Sequence, residues 1–252
     1  MKILFYGIGG AMGKTFFSCV KENPDCEIVC GVDKFADATE YPFPVYKNCN
    51  DIKENPDCII DFSHHTSVYD YLPYAVKNKI PCVIATTGFS EEETEFINEQ
   101  KNFIPILKSG NMSLGVNVLL QLSKICANIL GDKADIEIVE YHHNKKADAP
   151  SGTALLIADG IKEELPSHEY VIGRSGINKR KPTDIGINSV RGGTIVGKHD
   201  VMFILNNEII TLKHEAESKA IFANGAISAA WYIIKQKPGL YSMEDMFKSE
   251  NI

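Results

Sequence analysis

Several features that would assign this chain to common functional classes are absent from its sequence. Acidic residues outnumber basic ones, 33 against 26, and no block of like charges occurs. A nucleic-acid binder or an anchor for anionic membranes needs a basic surface, so we expect neither partner. No apolar run approaches the ~20 residues that span a bilayer, and no signal-peptide core follows Met1, which predicts a cytoplasmic protein.

Paired thiols are also lacking. The seven cysteines are odd in number and include no CxxC pair. Because disulfide frameworks and structural zinc sites need paired or regularly spaced thiols, we interpret these cysteines as reduced and mostly buried small apolar side chains. We therefore expect no metal site.

The first part of the chain alternates short apolar runs with amphipathic segments. This alternation is typical of repeated βα units around a parallel sheet, so the predicted fold class is α/β with a doubly wound sheet. The predicted strands are Lys2–Tyr6, Glu27–Val32, Asp57–Phe62, Cys82–Ala85 and Pro105–Lys108, and the predicted helices are Met12–Glu22, Thr66–Asn78 and Glu91–Gln100.

After residue 112 the pattern changes to that of an α+β region with antiparallel strands. Asn206-Asn207 lies between two apolar runs and predicts a hairpin, because Asn tolerates the positive φ that a two-residue turn requires. The predicted elements here are helix Leu114–Leu130, strand Ile136–Tyr141, helix Ser151–Leu165 with Ser151 as its N-cap, strands Val201–Leu205 and Ile209–Lys213, and helix Ala220–Lys235.

A chain of 252 residues is long enough for two modest domains. We expect a dinucleotide-binding domain at residues 1–112, and an inserted α+β domain at residues 113–220. The helices of residues 221–252 are expected to return to the first domain.

A glycine-rich turn joins the first predicted strand to the first predicted helix. It reads Gly7-Ile-Gly-Gly-Ala-Met-Gly13, with Met12 at the last glycine position of a strict GxGxxG pattern. Glycines there allow close backbone approach to a pyrophosphate, which the helix N-terminus attracts. Asp33, about 20 residues past Gly13, could accept hydrogen bonds from a ribose. These features indicate a Rossmann-type domain, although a structural turn with an ordinary surface acid is the simpler alternative.

The most polar stretch of the second region is Glu140-Tyr-His-His-Asn-Lys-Lys-Ala-Asp-Ala-Pro-Ser-Gly-Thr153. Its lysines and the predicted helix N-terminus suit a doubly charged anion, and a histidine could deliver a proton. Zinc binding by His142 and His143 is the less favoured interpretation, since adjacent side chains on extended backbone diverge. A solvated loop remains a possible interpretation of Lys145 and Lys146.

Five motifs stand out along the chain: Gly7–Gly13, Ala85-Thr-Thr-Gly-Phe89, Asn111-Met-Ser-Leu-Gly-Val-Asn117, Glu140–Ala154 and Arg191-Gly-Gly-x-x-x-Gly-x-His199. Together they resemble, in order, the motifs of one enzyme family, the 4-hydroxy-tetrahydrodipicolinate reductases, also called dihydrodipicolinate reductases, of the lysine and diaminopimelate pathway. The likeness covers essentially the whole chain, and its most specific part is the polar stretch just described.

The resemblance implies an NADH- or NADPH-dependent reduction of a small cyclic dicarboxylate by a homotetramer. It implies that His142 is the general acid and that Lys146 binds and polarises the substrate. The substrate's carboxylates would contact His143, Ser151, Gly152 and Thr153. The cofactor would contact Gly7, Ile8, Gly9, Gly10, Ala11, Met12, Asp33, Lys34, Ala85, Thr86, Thr87, Ser109, Gly110, Asn111 and Met112.

The chain departs from the family pattern at a few positions. No proline follows the strand in Asp61-Phe-Ser-His-His65, Ala85 replaces a common glycine, Met112 replaces a common phenylalanine, and Lys219 stands where arginine is frequent. The first three are expected near the cofactor. Together with the acid–cation pair Asp33-Lys34, they leave the choice between NADH and NADPH open.

Two other functions are compatible with the glycine turn. A homoserine or sugar dehydrogenase would keep this turn but would not need the histidine–lysine stretch. A non-enzymatic redox sensor that binds NADH would need a basic recognition helix, which the sequence does not indicate.

Overall fold

The computed structural model describes residues 1–249, which form two compact units. Unit 1 contains Met1–Leu114 and the segment from Lys219 onward, and unit 2 contains Gly115–Ser218. An uninterrupted second unit is thus inserted into a first unit that both ends of the chain build.

Unit 1 is a parallel sheet with helices on both faces. Its seven strands follow the order β12-β6-β5-β4-β1-β2-β3, and all their pairings are parallel. Numbered along the chain, its elements are β1 (Lys2–Tyr6), α1 (Ala11–Lys21), β2 (Glu27–Val32), β3 (Val45–Tyr46), β4 (Cys58–Asp61), α2 (Val68–Asn78), β5 (Cys82–Ile84), α3 (Glu91–Gln100), β6 (Pro105–Lys108), α6 (Ala220–Ile233), β12 (Gly239–Tyr241) and α7 (Met243–Ser249). The predicted α/β fold class is confirmed.

Successive residues of β1 contribute to the two apolar layers of unit 1. Phe5 packs against Phe16 of α1 on one face, with ring centroids 4.4 Å apart. Tyr6 packs against Tyr71 of α2 on the other face, at 5.2 Å. Because side chains alternate across a strand, buried apolar residues on both faces produce the continuous apolar runs seen in the sequence.

Unit 2 contains a five-stranded sheet in the order β11-β10-β7-β9-β8. Its elements are α4 (Leu114–Leu130), whose first residue belongs to unit 1, β7 (Asp135–His142), α5 (Gly152–Glu164), β8 (Glu169–Ile172), β9 (Asp184–Arg191), β10 (Gly197–Ile204) and β11 (Ile209–Ala216). The expectation of antiparallel strands holds only for β7–β10 and β10–β11, since β9 pairs parallel with β7 and β8. The crossover through α5 keeps β8 parallel to β7, whereas β10 and β11 add antiparallel pairings, so the sheet is mixed.

The two faces of this sheet differ. On one face, apolar residues of β7 and β10 such as Ile138 and Phe203 share a core with Ile157 and Ile161 of α5. The other face, which we call the open face, carries partly exposed residues. They are Glu137, Val139 and Tyr141 of β7, Lys198, Asp200, Met202 and Ile204 of β10, and Ile209 of β11.

Two expectations about local structure need correction. The hairpin between β10 and β11 is present, and Leu205 N donates to Glu208 O at 2.9 Å across it. Neither Asn206 nor Asn207 has a positive φ, however, because Lys79 is the one non-glycine residue with positive φ in the part of the chain described. Furthermore, the helical stretch Leu114–Lys133 has 20 residues, so one segment does reach the length and apolar composition of a membrane span. Core helices of soluble proteins pass the same test, so this is weak evidence for a membrane.

Candidate active site

The glycine turn of unit 1 is shaped by close backbone contacts. Gly7 has φ +90°, and a Cβ there would lie 2.6 Å from Phe62 O. A Cβ on Gly13 would lie 2.2 Å from Ile8 O. Gly13 therefore allows the close approach of helix and turn that the last glycine of GxGxxG provides, one residue later in the chain.

The N-terminus of α1 fits a bound pyrophosphate. Helix α1 begins after Gly10, where the described residues provide no side-chain cap, and its first turn holds no acidic residue. The backbone N–H groups of this turn and the positive end of the helix dipole are thus available to an anion. Ile8 is fully buried, so its assignment to the cofactor stays a prediction.

Asp33 follows β2 and braces the turn. Its Oδ2 accepts a hydrogen bond from Gly9 N at 2.9 Å, and its Oδ1 accepts from Phe35 N at 2.8 Å and Ala36 N at 3.1 Å. An ionised carboxylate has about four acceptor positions, so one remains for a ribose hydroxyl. Lys34 is exposed beside it.

The ends of β4 and β5 are joined by polar contacts. Ser63 N donates to Thr86 Oγ1 at 2.9 Å, and Asp61 accepts hydrogen bonds from Ser63 and from Tyr71, the latter at 3.0 Å. Burial raises the pKa of Asp61 to about 6, although these hydrogen bonds oppose the change. Ala85 is partly exposed and Thr87 exposed, which leaves both accessible at the carboxyl edge of the sheet.

The segment Ser109–Met112 follows β6 at the same edge. Ser109 Oγ donates to Asn111 O at 2.9 Å, and Gly110 is exposed. Met112 is 2% exposed and lies in the core of unit 1, so its side chain is largely inaccessible to a ligand. Its assignment to the cofactor stays a prediction.

In unit 2, His142 at the end of β7 is bound to a buried carboxylate. Its Nδ1 lies 2.6 Å from Oε2 of Glu140, which is fully buried. Arg191, at the end of β9, donates to both Glu140 oxygens at 2.8 Å. Burial alone would raise the pKa of Glu140, but hydrogen bonds from Arg191, Ser189 and His142 outweigh it and lower this pKa to about 2.

The same carboxylate holds the start of α5. Ser151 N donates to Glu140 Oε1 at 3.1 Å, while Ser151 Oγ accepts from Ala154 N at 3.2 Å and lies 3.1 Å from His199 Nε2. The predicted N-cap is confirmed. The predicted contact of Ser151 with the substrate stays a prediction, and both of its polar groups already have partners within unit 2. Gly152 has open space where a Cβ would point, and Thr153 follows it in the first turn.

Lys146 and His143 lie in the loop between β7 and α5. Lys146 Nζ forms an ion pair with Asp148 Oδ2 at 2.8 Å, and this contact lowers the pKa of Asp148. Arg191 Nη2 donates to Asp148 O at 2.6 Å, which connects this loop to the Glu140 cluster. His143 Nδ1 is buried without a partner in the described residues.

Sequence reasoning left Glu140, Arg191 and His199 without a role. All three lie within motifs that were recognised, but strand pairing brings them together. His199 pairs with Glu140 between β10 and β7, and Arg191 pairs with His142 between β9 and β7. Among the described residues, no group of three or more His, Cys, Asp or Glu side chains has an arrangement that could hold a metal.

Comparison with known proteins identifies the family of this chain. A family model described as "Dihydrodipicolinate reductase, N-terminus" matches residues 1–112, and one described as "Dihydrodipicolinate reductase, C-terminus" matches residues 115–247. The 4-hydroxy-tetrahydrodipicolinate reductase of Caldanaerobacter subterraneus subsp. tengcongensis is 52% identical over 250 residues, covering 98% of each chain. That of Clostridium tetani is 44% identical, covering 99% of this chain and 98% of its own.

A solved structure gives the same result for the fold. The dipicolinate-bound dihydrodipicolinate reductase from Paenisporosarcina sp. TG-14 superposes with a TM-score of 0.82 at 24% identity, covering 97% of this chain and 98% of its own. The chain therefore belongs to the 4-hydroxy-tetrahydrodipicolinate reductase family. These Rossmann-type oxidoreductases reduce 4-hydroxy-tetrahydrodipicolinate with NADH or NADPH in lysine biosynthesis.

Proposed function

We propose that His142 and Lys146 are the catalytic residues of this reductase. The observation that best supports the assignment is the cationic cluster at the start of α5. Within it, His142 and Arg191 share the Glu140 carboxylate, and Lys146 pairs with Asp148, whose backbone Arg191 also binds. Cations and helix N–H groups attract a doubly charged anion, and an imidazole provides a proton.

The substrate's carboxylates would be bound by His143, Ser151, Gly152 and Thr153 together with Lys146. Helix α5 has no acidic residue in its first turn, and Arg191 balances the charge of the Glu140 carboxylate that binds Ser151 N, so the helix N-terminus can still attract an anion. The solved relative from Paenisporosarcina is described as bound to dipicolinate, a planar cyclic dicarboxylate. We propose the same class of ligand for this site.

The dinucleotide would bind unit 1 at the glycine turn and at the carboxyl edge of the sheet. When bound, it supplies a hydride. The residues proposed to hold it are Gly7, Ile8, Gly9, Gly10, Ala11, Met12, Asp33, Lys34, Ala85, Thr86, Thr87, Ser109, Gly110, Asn111 and Met112.

His142 would complete the reduction by protonation. The 4-hydroxy substrate loses water to give an unsaturated ring, and reduction at C4 leaves an electron pair spread towards C3 and the ring nitrogen. A proton from the imidazolium of His142 forms the new C–H bond, which leaves His142 neutral. The ammonium of Lys146, held beside the substrate ring, would stabilise the transient negative charge on that ring.

Residues 1–112 would then form the dinucleotide-binding domain and residues 113–220 the substrate-binding and tetramerisation domain, with residues 221–252 returning to the first.

We further propose a homotetramer in the cytoplasm. The open face of unit 2 favours self-association, because it presents apolar side chains such as Met202 and Ile209 among paired charges such as Lys198–Asp200, which are 3.3 Å apart.

Oxidation of NADH and NADPH, followed at the nicotinamide absorbance, tests the function. Turnover should require freshly formed 4-hydroxy-tetrahydrodipicolinate, and homoserine or sugars should not replace it. Tight NADH binding without turnover of any of these compounds would instead favour a redox sensor, and turnover of homoserine or a sugar alone would favour another dehydrogenase.

Cofactor preference depends on Asp33 and Lys34. Because a carboxylate favours a free 2′-hydroxyl and a cation favours a 2′-phosphate, Asp33→Ala should weaken NADH binding more, and Lys34→Ala should weaken NADPH binding more. Fluorescence titration of both cofactors measures this. Equal losses for the two cofactors in both variants would remove these side chains from the discrimination.

A further inference from the structure

The carboxylate of Glu140 has every acceptor position filled. Oε1 accepts hydrogen bonds from Ser151 N and Arg191 Nη2. Oε2 accepts one from Arg191 Nη1 and contacts His142 Nδ1. A carboxylate has about four acceptor positions, so these four contacts, together with the hydrogen bond from Ser189, leave none of them free. The side chain is fully buried, so its orientation is fixed by these partners and not by water.

This saturation determines where the protons of His142 lie. An ionised carboxylate can only accept, so the Nδ1 atom that contacts Glu140 must carry a hydrogen. Arg191 keeps Glu140 ionised by binding both oxygens. Neutral His142 is therefore the Nδ1–H tautomer, and the proton that imidazolium can release is the one on Nε2.

We infer that Glu140 is a positioning residue for His142: it fixes the Nδ1–H tautomer, so that Nε2 alone delivers the proton, and it holds the start of α5 through Ser151. The inference rests on the proposed role of His142 as general acid. When the Nε2–H bond breaks and the C–H bond forms, the imidazole is left in the tautomer that Glu140 already binds. No rotation or tautomer exchange is then needed after the transfer.

The surroundings of Nε2 agree with this role. A Cβ on Gly197, at the start of β10, would lie 3.1 Å from His142 Nε2. The absence of a side chain at Gly197 thus leaves room beside the atom that releases the proton. The His142 imidazole is thus held at Nδ1 by Glu140, which Arg191 binds, and no side chain crowds it at position 197.

Coupling to α5 gives Glu140 a second effect. Ser151 immediately precedes Gly152 and Thr153, whose backbone N–H groups are proposed to bind a substrate carboxylate. Loss of the Glu140 contact would release both the imidazole and the first turn of α5. A change at Glu140 should therefore affect kcat through His142 and KM through α5.

The wild-type protein provides the first test. Two-dimensional ¹⁵N–¹H spectra of imidazole, with His142 assigned by its loss in His142→Gln, report which nitrogen carries the hydrogen at a pH where the ring is neutral. We expect Nδ1–H. An Nε2–H tautomer in the folded wild-type protein would overturn the inference without the need for any variant at Glu140.

Glu140→Gln provides the second test. The amide can donate as well as accept, so the tautomers of His142 should mix and kcat should fall by about 10²-fold or more, the usual size of an acid–base contribution, with a rise in KM. Glu140→Asp should restore part of kcat. A Gln variant with kcat within about threefold of wild type and unmixed tautomers would contradict the inference.

Asp184→Asn is the matched control. Asp184 is a buried carboxylate of unit 2 that Arg174 binds at 3.2 Å, but it lies at the opposite end of β9 from Arg191. We expect it to lower thermal stability without changing the His142 tautomer or kcat. Mixed tautomers in Glu140→Gln, together with normal turnover in His142→Gln, would refute the proposed acid while leaving the positioning by Glu140 intact.

Discussion

His199 is a buried histidine whose surroundings disfavour its charged form. Burial, and then the nearby charge of His142, lower the pKa of His199 to about 4. Its ring lies 5.4 Å from that of His142, in an edge-to-face arrangement, but it lacks a hydrogen-bonded carboxylate of its own in the described residues. Two neighbouring histidines therefore differ in what they can do: His199 stays neutral, while His142 has a carboxylate to balance its charge.

This difference predicts a pH dependence of stability. Unfolded His199 takes up a proton below about pH 6.5, whereas folded His199 does so only near pH 4. The contribution of neutral His199 to the free energy of unfolding is fully present above pH 6.5. It is lost as the pH falls towards 4, by at most about 3 kcal/mol. The free energies of unfolding of wild type and His199→Gln, measured with denaturant, should therefore approach each other as the pH falls from 6.5 to 4. A difference between the two proteins that is constant with pH would contradict the lowered pKa, and His64→Gln, at an exposed histidine, is the control.

A second residue-level prediction concerns the space beside Nε2. Gly197→Ala should displace the His142 ring by a few tenths of an ångström and lower kcat by about tenfold, because small misplacements of reacting groups are costly. Gly192→Ala is the matched control, since a Cβ there meets no atom within 4 Å. Steady-state kinetics of both variants decide the matter, and equal kcat values would show that this space is not needed.

At the scale of elements, helix α1 depends on where its glycines lie. Gly13→Ala should destabilise unit 1 by about 3 kcal/mol, since its Cβ would overlap backbone atoms that cannot move aside. Gly10→Ala is the comparison, because its nearest atom would lie at 3.3 Å and the expected cost is about 1 kcal/mol or less. Denaturant unfolding measures both changes, and equal losses would refute the steric argument.

Elements with strong periodicity or distinct end signals could be predicted from the sequence. Helix α3 begins at the predicted residue because Ser90 and Glu93 form a capping box with both hydrogen bonds present. Helix α4 is likewise identified by its apolar period. Strands β3 and β12 have only two and three residues and, unlike the equally short β5, contain no buried residue, so no apolar run marks them in the sequence.

Strand β9 was not predicted from the sequence, and this explains why the contact of Arg191 with Glu140 was not predicted either. Arg191 is 51 residues from Glu140 in sequence, and only the parallel pairing of β9 with β7 brings them together. Local sequence patterns indicated the cations, the imidazoles and the helix start, because these lie within one short stretch. The carboxylate cluster behind them depends on long-range pairing, which no local pattern specifies.

At the scale of the whole molecule, the chain is expected to assemble through unit 2. Light scattering after size exclusion should give a mass about four times 27.9 kDa. Ile209→Asp, on the open face and 61% exposed, should lower this mass, because the buried charge would have no partner. Phe103→Asp in unit 1, at a residue that is 60% exposed, should leave it unchanged. A monomeric wild-type protein at micromolar concentration would contradict the proposed assembly.

The central claim is that His142 protonates the reduced substrate, and one comparison tests it most directly. His142→Gln and wild type are assayed at saturating NADH or NADPH and 4-hydroxy-tetrahydrodipicolinate, with dipicolinate binding measured by calorimetry on the same preparations. The account predicts that kcat falls by about 10²-fold or more while dipicolinate still binds. Wild-type turnover in a folded His142→Gln protein would contradict it.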